Sequence, residues 1–127
     1  MDYGQFTQYA KRADDSGATD LAKRIRAEGT ACAALIDAIL AKGAKISVND
    51  GEEWTVKGST DKGEVIRALF TTDSDIIRAR DADNTVLGNF YLLYGNSGAE
   101  VIGDYSDNDF CNAIWAEITP TLDKLEA

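Results

Sequence analysis

The chain contains no histidine. That excludes Ser-His-Asp and Cys-His nucleophile systems, histidine-ligated metals and the side chain most often used as a general base near neutral pH. Its two cysteines, Cys32 and Cys111, stand far apart and form no CxxC pair. Both fall in helical segments among apolar neighbours, where a buried, unreactive thiol is expected. No GxxxxGK[ST] or GxGxxG string occurs, so there is no recognisable phosphate cradle. No apolar run approaches the roughly 18 residues that a membrane span requires. Asp2 follows Met1 and the first apolar residues are scattered among polar ones, so no secretory leader is expected. The resulting expectation is a cytoplasmic protein in a reducing compartment, with no cofactor, no metal and no membrane contact, that binds rather than catalyses.

Basic residues are scarce in one part of the chain. The net charge is −9, but residues 1–45 hold seven Lys/Arg against six Asp/Glu, and the remainder holds six against 16. After Arg80 the only basic residue is Lys124, facing nine acids. A field of that sign repels nucleic acid and anionic membranes and steers a basic protein surface inward. Solubility alone is the competing explanation for such acidity.

At 127 residues the chain has the size of one domain, and it shows no repeat, linker or low-complexity stretch. Residues 1–43 read as two helices. Tyr3, Phe6 and Tyr9–Ala10 recur at helical spacing up to the stop signal Asp14-Asp15-Ser16-Gly17. A second helix begins near Thr19 or Asp20, with Leu21, Ile25, Cys32, Leu35, Ile36, Ile39 and Leu40 on one face. Gly29 marks a place for a kink or break, and Gly43 a C-terminal cap. Residues 44–106 read as a sheet with one inserted helix. Ile46 and Val48 lead into a two-residue hairpin turn at Asn49-Asp50-Gly51, and Trp54 and Val56 return. Ser59-Thr60-Asp61 opens a short helix carrying Val65, Ile66, Leu69 and Phe70. Thr71 to Asp75 is a polar break. Three strands follow: Ile76–Arg80, Val86–Tyr94, and Val101 onward. The second of these is apolar on both faces, as a central strand is. Residues 107–127 form a last helix with Phe110, Ile114, Ile118, Leu122 and Leu125 as its stripe, capped from the acidic loop 104–109 and kinked or shortened at Pro120. The expected class is α+β, an antiparallel sheet of about five strands with helices packed on it, in the order α-α-β-β-α-β-β-β-α.

The candidate chemistry is sparse. Glu52–Glu53, Asp73–Asp75, Asp81–Asp83 and Asp107–Asp109 are carboxylate pairs, but each falls in an expected turn, where Asp ordinarily bonds the local backbone. The string Asp104-Tyr105-Ser106-Asp107-Asn108-Asp109 is dense in oxygen donors yet lacks the central Gly and distal Glu of an EF-hand loop. Arg78 and Arg80 share one face of their strand and are candidates for an anion, with cross-strand pairing to acids as the structural alternative. If Tyr91 or Leu93 is left at the surface, an exposed apolar strip there marks an interface, with a homodimer as one reading.

The stretches Ile46-Ser47-Val48-Asn49-Asp50-Gly51-Glu52-Glu53-Trp54, Tyr94-Gly95-Asn96 and Val101-Ile102-Gly103-Asp104-Tyr105-Ser106 resemble small accessory proteins of bacteriophages and prophages, over about residues 44–115. The resemblance implies a phage setting, in which small acidic proteins bind and block a host defence or nucleic-acid enzyme. The leading expectation is therefore an anti-CRISPR-like inhibitor that occludes a basic surface of a host protein. Its carboxylates Asp81, Asp83, Asp104, Asp107 and Asp109 stand where phosphates would. The first alternative is a nucleotide-binding or sequestering protein with a pocket between sheet and helices and Arg78 and Arg80 on the anion. The second is an enzyme using carboxylates and a divalent metal.

Overall fold

The computed structural model describes residues 4–95 and 98–126; Tyr3, counted above in the first helix, lies outside them. The elements are α1 (Gln5–Asp15), α2 (Thr19–Ala41), β1 (Lys45–Asn49), β2 (Trp54–Ser59), α3 (Lys62–Arg67), β3 (Ser74–Arg80), β4 (Val86–Leu93), β5 (Ile102–Tyr105) and α4 (Asp109–Glu126), with a 3₁₀ turn at Gly98–Glu100. The α+β order is the expected one, and the five strands form an antiparallel sheet.

Phe6, Ala10 and Ala13 of α1 are buried at helical spacing against α2. The expected break at Gly29 does not occur, and α2 runs unbroken for 23 residues. Gly29 serves packing instead. A Cβ placed there lies only 3.0 Å from Cβ of the buried Phe6, so the glycine lets α1 sit close. That contact outweighs the helix penalty of about 1 kcal/mol for glycine. Leu21 does not join the buried face; it is exposed, and Ala22 is buried beside it. Pro120 does not shorten α4, which continues to Glu126. Ala116, whose carbonyl loses its usual partner, is exposed, so water can take the bond.

The strand order is β2-β1-β3-β4-β5. The β1–β2 connection is a four-residue loop, not a two-residue turn, because the Asp50 carboxylate accepts the N–H groups of Glu52 and Glu53 and holds a wider loop. Chain leaving β2 crosses through α3, whose N-terminus is capped by Asp61 accepting from Gly63 and Glu64 N–H. It returns as β3 on the far side of β1, so β2 and β3 are parallel to each other with β1 between them. The central strand is therefore β3. The apolar β4 is interior, between β3 and β5.

One face of the sheet presents Ile46, Val48, Val56, Ile77, Ala79, Phe90 and Leu92 to a core shared with α2 and α4. Gly88 on that face permits a close approach: a Cβ there falls 2.2 Å from the Cys111 sulfur. Gly88→Ala is expected to cost about 1–3 kcal/mol through overpacking. In a Cys111→Ala background the same change is expected to cost almost nothing, because the added methyl takes the space of the sulfur. Denaturant midpoints of the four proteins give the coupling; purely additive losses would show that the two side chains do not compete for one space.

Candidate functional site

The opposite face of the sheet carries no helix among the described residues. Strand alternation brings Lys45, Ser47 and Asn49 of β1, Ile76, Arg78 and Arg80 of β3, and Tyr91 and Leu93 of β4 to this face. In the register Lys45 stands opposite Arg80, Ser47 opposite Arg78, and Asn49 opposite both Ile76 and Trp54. A pocket of about 460 Å³ opens here, lined by Lys45, Ser47, Trp54, Lys57, Gly58, Arg80 and Asn84. It lies on the open side of the sheet; a second pocket of about 460 Å³ lies between the β4–β5 edge and α4, lined by Leu93, Ile102, Trp115 and Leu122 among others, and neither Arg78 nor Arg80 lines it.

Lys45, Arg78 and Arg80 are held by neutral groups. Lys45 Nζ donates to Asn84 Oδ1 and Arg80 Nη1 to the Asn84 carbonyl, both at 2.8 Å. Asn84 presents both acceptors from a left-handed backbone, φ +66°, which asparagine tolerates better than most residues. Arg78 Nε donates to Asn89 Oδ1 at 2.8 Å, and its guanidinium lies 4.8 Å from the Trp54 ring centroid. Among the described residues the ion pairs are Arg24–Glu28, Arg26–Asp14, Lys42–Glu117 and Lys62–Asp37. None involves Lys45, Lys57, Arg78 or Arg80, so the two arginines do not take cross-strand acids. Their positions are set by neutral acceptors, with no ion pair among the described residues. Further across the open face Tyr91 and Leu93 are 37% and 48% exposed, with Ile76 beside Tyr91, Ser74 opposite Leu93 and Asp104 opposite Tyr91.

The acids of the sequence reading fall in three places. Asp81 and Asp83 lie in the β3–β4 turn, where the Asp81 carboxylate accepts N–H of Asp83 and Thr85. Asp107 and Asp109 flank Asn108 in the loop before α4, and it is Asn108 that caps the helix through Cys111 N–H. The loop is tied to the start of β4, since Asn108 donates to the Leu87 carbonyl and Ser106 bonds Asn89. Both acidic loops thus leave the same end of the sheet. Asp104 is further along, on the edge strand opposite Tyr91. Among the described residues no three Cys, Asp or Glu side chains converge to hold a metal.

A buried polar cluster was not foreseen. Asp75 is the second residue of β3, faces the core and is 1% exposed. Its Oδ2 accepts the Tyr94 hydroxyl at 2.5 Å and Phe70 N–H at 3.1 Å, while Oδ1 has no partner. Burial pushes its carboxyl up to about 6, against the lowering effect of those two bonds. Glu28 of α2, also buried, accepts Gly95 N–H and is likewise pushed up by burial. Between them Cys32 is fully buried, and burial followed by the two carboxylates raises its thiol far above the ordinary range. Phe70 adopts φ +64°, stacked on Phe6 with ring centroids 4.8 Å apart. No described pocket reaches these acids. They tie the end of β4 to α2 and β3.

No protein-family model matches the chain, and no curated protein or solved structure matches it. Among the described residues no helix is long and apolar enough to cross a membrane.

Proposed function

We propose that this chain is a non-catalytic binding protein whose working surface is the open sheet face, where Lys45, Lys57, Arg78 and Arg80 receive an anionic group. The observation that carries the reading is the neutral restraint of Lys45 and Arg80 by Asn84 and of Arg78 by Asn89. A surface lysine or arginine normally costs side-chain entropy to immobilise, and prior positioning lowers that cost on binding. The charges are uncancelled, so an arriving carboxylate or phosphate gains charge-assisted hydrogen bonds without displacing an existing ion pair. The surrounding field is negative, so selection for an anion comes from contact at the pocket and not from long-range attraction.

Pyrophosphate is the simple probe. It is expected to raise the melting temperature in proportion to the logarithm of its concentration above Kd, and the effect is expected to shrink as chloride rises. A melting temperature that does not move with pyrophosphate at low salt would sink the reading.

The shared end of the two acidic loops favours a second reading: Asp81, Asp83, Asp107 and Asp109, with Asp104 further along the edge strand, cover a basic surface of a host nucleic-acid enzyme, as the phage resemblance implies. A complex lost on replacing those five acids by Asn, and unaffected by pyrophosphate, would establish it over the first.

A further inference from the structure

Resting on the anion-binding reading, we infer that the ligand of the open face is a nucleotide, its phosphate between Lys45 and Arg80 and its base against Trp54. Two features of the pocket combine to give this class. At one end Lys45 and Arg80 are directly opposed across β1 and β3 and share Asn84 as a neutral anchor. At the other end Trp54 is half-buried in the wall, with the Arg78 guanidinium over its ring. An indole backed by a guanidinium is a flat surface suited to stacking a planar heterocycle.

The spacing agrees. Arg78, in contact with Trp54, lies two residues from Arg80 on the same strand, a rise of about 7 Å. That is the scale separating a phosphate from the base it carries. The volume of about 460 Å³ lies within the range of small-molecule sites. Lys57 and the N–H-bonded Ser47 hydroxyl complete the wall. An inorganic anion would use only one end of this pocket.

The experiment is calorimetric titration of the intact chain, at one ionic strength, with inorganic phosphate, adenosine, adenosine 5′-monophosphate, pyrophosphate and a single-stranded hexanucleotide. The monophosphate is expected to bind about ten- to a hundredfold tighter than phosphate, the gain being the stacked base, and adenosine to bind weakest. Trp54→Leu is expected to bring the monophosphate to the level of phosphate and leave phosphate unchanged. Trp115→Phe, altering the indole packed on Tyr105 at the helical side, is expected to change neither. Equal affinity for phosphate and monophosphate overturns the nucleotide class while leaving the anion reading standing. Failure of every anion, pyrophosphate included, removes the anion reading itself. A hexanucleotide far tighter than the monophosphate replaces a free nucleotide by a nucleic-acid strand. The comparison among ligands uses the unmutated chain, so it decides even if Trp54→Leu does not fold.

Discussion

Replacing Lys45 and Arg80 together by glutamate is expected to weaken anion binding by at least about a hundredfold with little change in stability. A hydrogen bond to a charged group is worth about 1.5–3 kcal/mol, and two are lost here; about 2.7 kcal/mol is a hundredfold. Charge reversal adds repulsion on top. The fold tolerates the change because both side chains lie on the open face, and their present partners are a side-chain oxygen and a carbonyl of the exposed Asn84. A control with Lys23 and Lys124 changed to glutamate alters the net charge equally at exposed helical positions. Comparable losses in both proteins would mean that overall charge, not the pocket, governs binding. Pyrophosphate titration with circular dichroism melts separates the cases.

The second large effect concerns Asp75. Its carboxyl is raised in the folded chain to about 6 from 3.8, so the folded state holds the proton more tightly than the unfolded one. The sign follows from that difference. Below about pH 4 both states are protonated at this position and the stabilising contribution of the proton is complete. As pH climbs through 6 the folded chain must accept a buried carboxylate and that contribution is lost, about 3 kcal/mol at most. The groups facing Asp75 are the Tyr94 hydroxyl just after β4, Phe70 N–H after α3, Cys32 from α2, which Glu28 also faces, and Asp50 in the hairpin loop. An asparagine amide in its place keeps an oxygen that accepts from Tyr94 and Phe70, and it carries no charge. Asp75→Asn is therefore expected to flatten the fall in stability between pH 5 and pH 7 relative to the unmutated chain. Urea midpoints across that range supply the comparison, and parallel profiles for the two proteins would show that Asp75 does not titrate there.

Local pattern carried most of the element order. Period-2 alternation placed Arg78 and Arg80 on one face, and the Asp61 cap and the Asp81 turn follow from side chains that bond their own backbone. What needs pairing between distant strands was not legible. Lys45 joins Arg80 only because α3 carries the chain across to the far side of β1, and nothing in the alternation of either strand specifies that neighbour. Trp54 meets Arg78 for the same reason. Asp75 was hidden differently: beside Asp73 and Ser74 it reads as a turn residue, yet the strand starts one residue before it and its side chain points inward. Gly29 was misread because its use is tertiary. The helical penalty is visible in sequence, whereas Phe6 across the interface is not. The site was thus half legible, in its arginines but not in its lysines or its indole.

The two outer strands bear on how the chain meets others of its kind. β5 has only four residues, with Gly103 and the charged Asp104 among them, and its pairing with β4 slips near its start. β2 is irregular twice against β1, contains Gly58 at φ +67°, and carries Lys57 outward. Short length, bulges and charge are the devices that stop a sheet from recruiting another strand edge to edge. Both rims are blunted, so polymerisation by strand addition is opposed at either side. The chain can therefore leave one flat face uncovered without the row of unpaired backbone groups beside it becoming a template for aggregation.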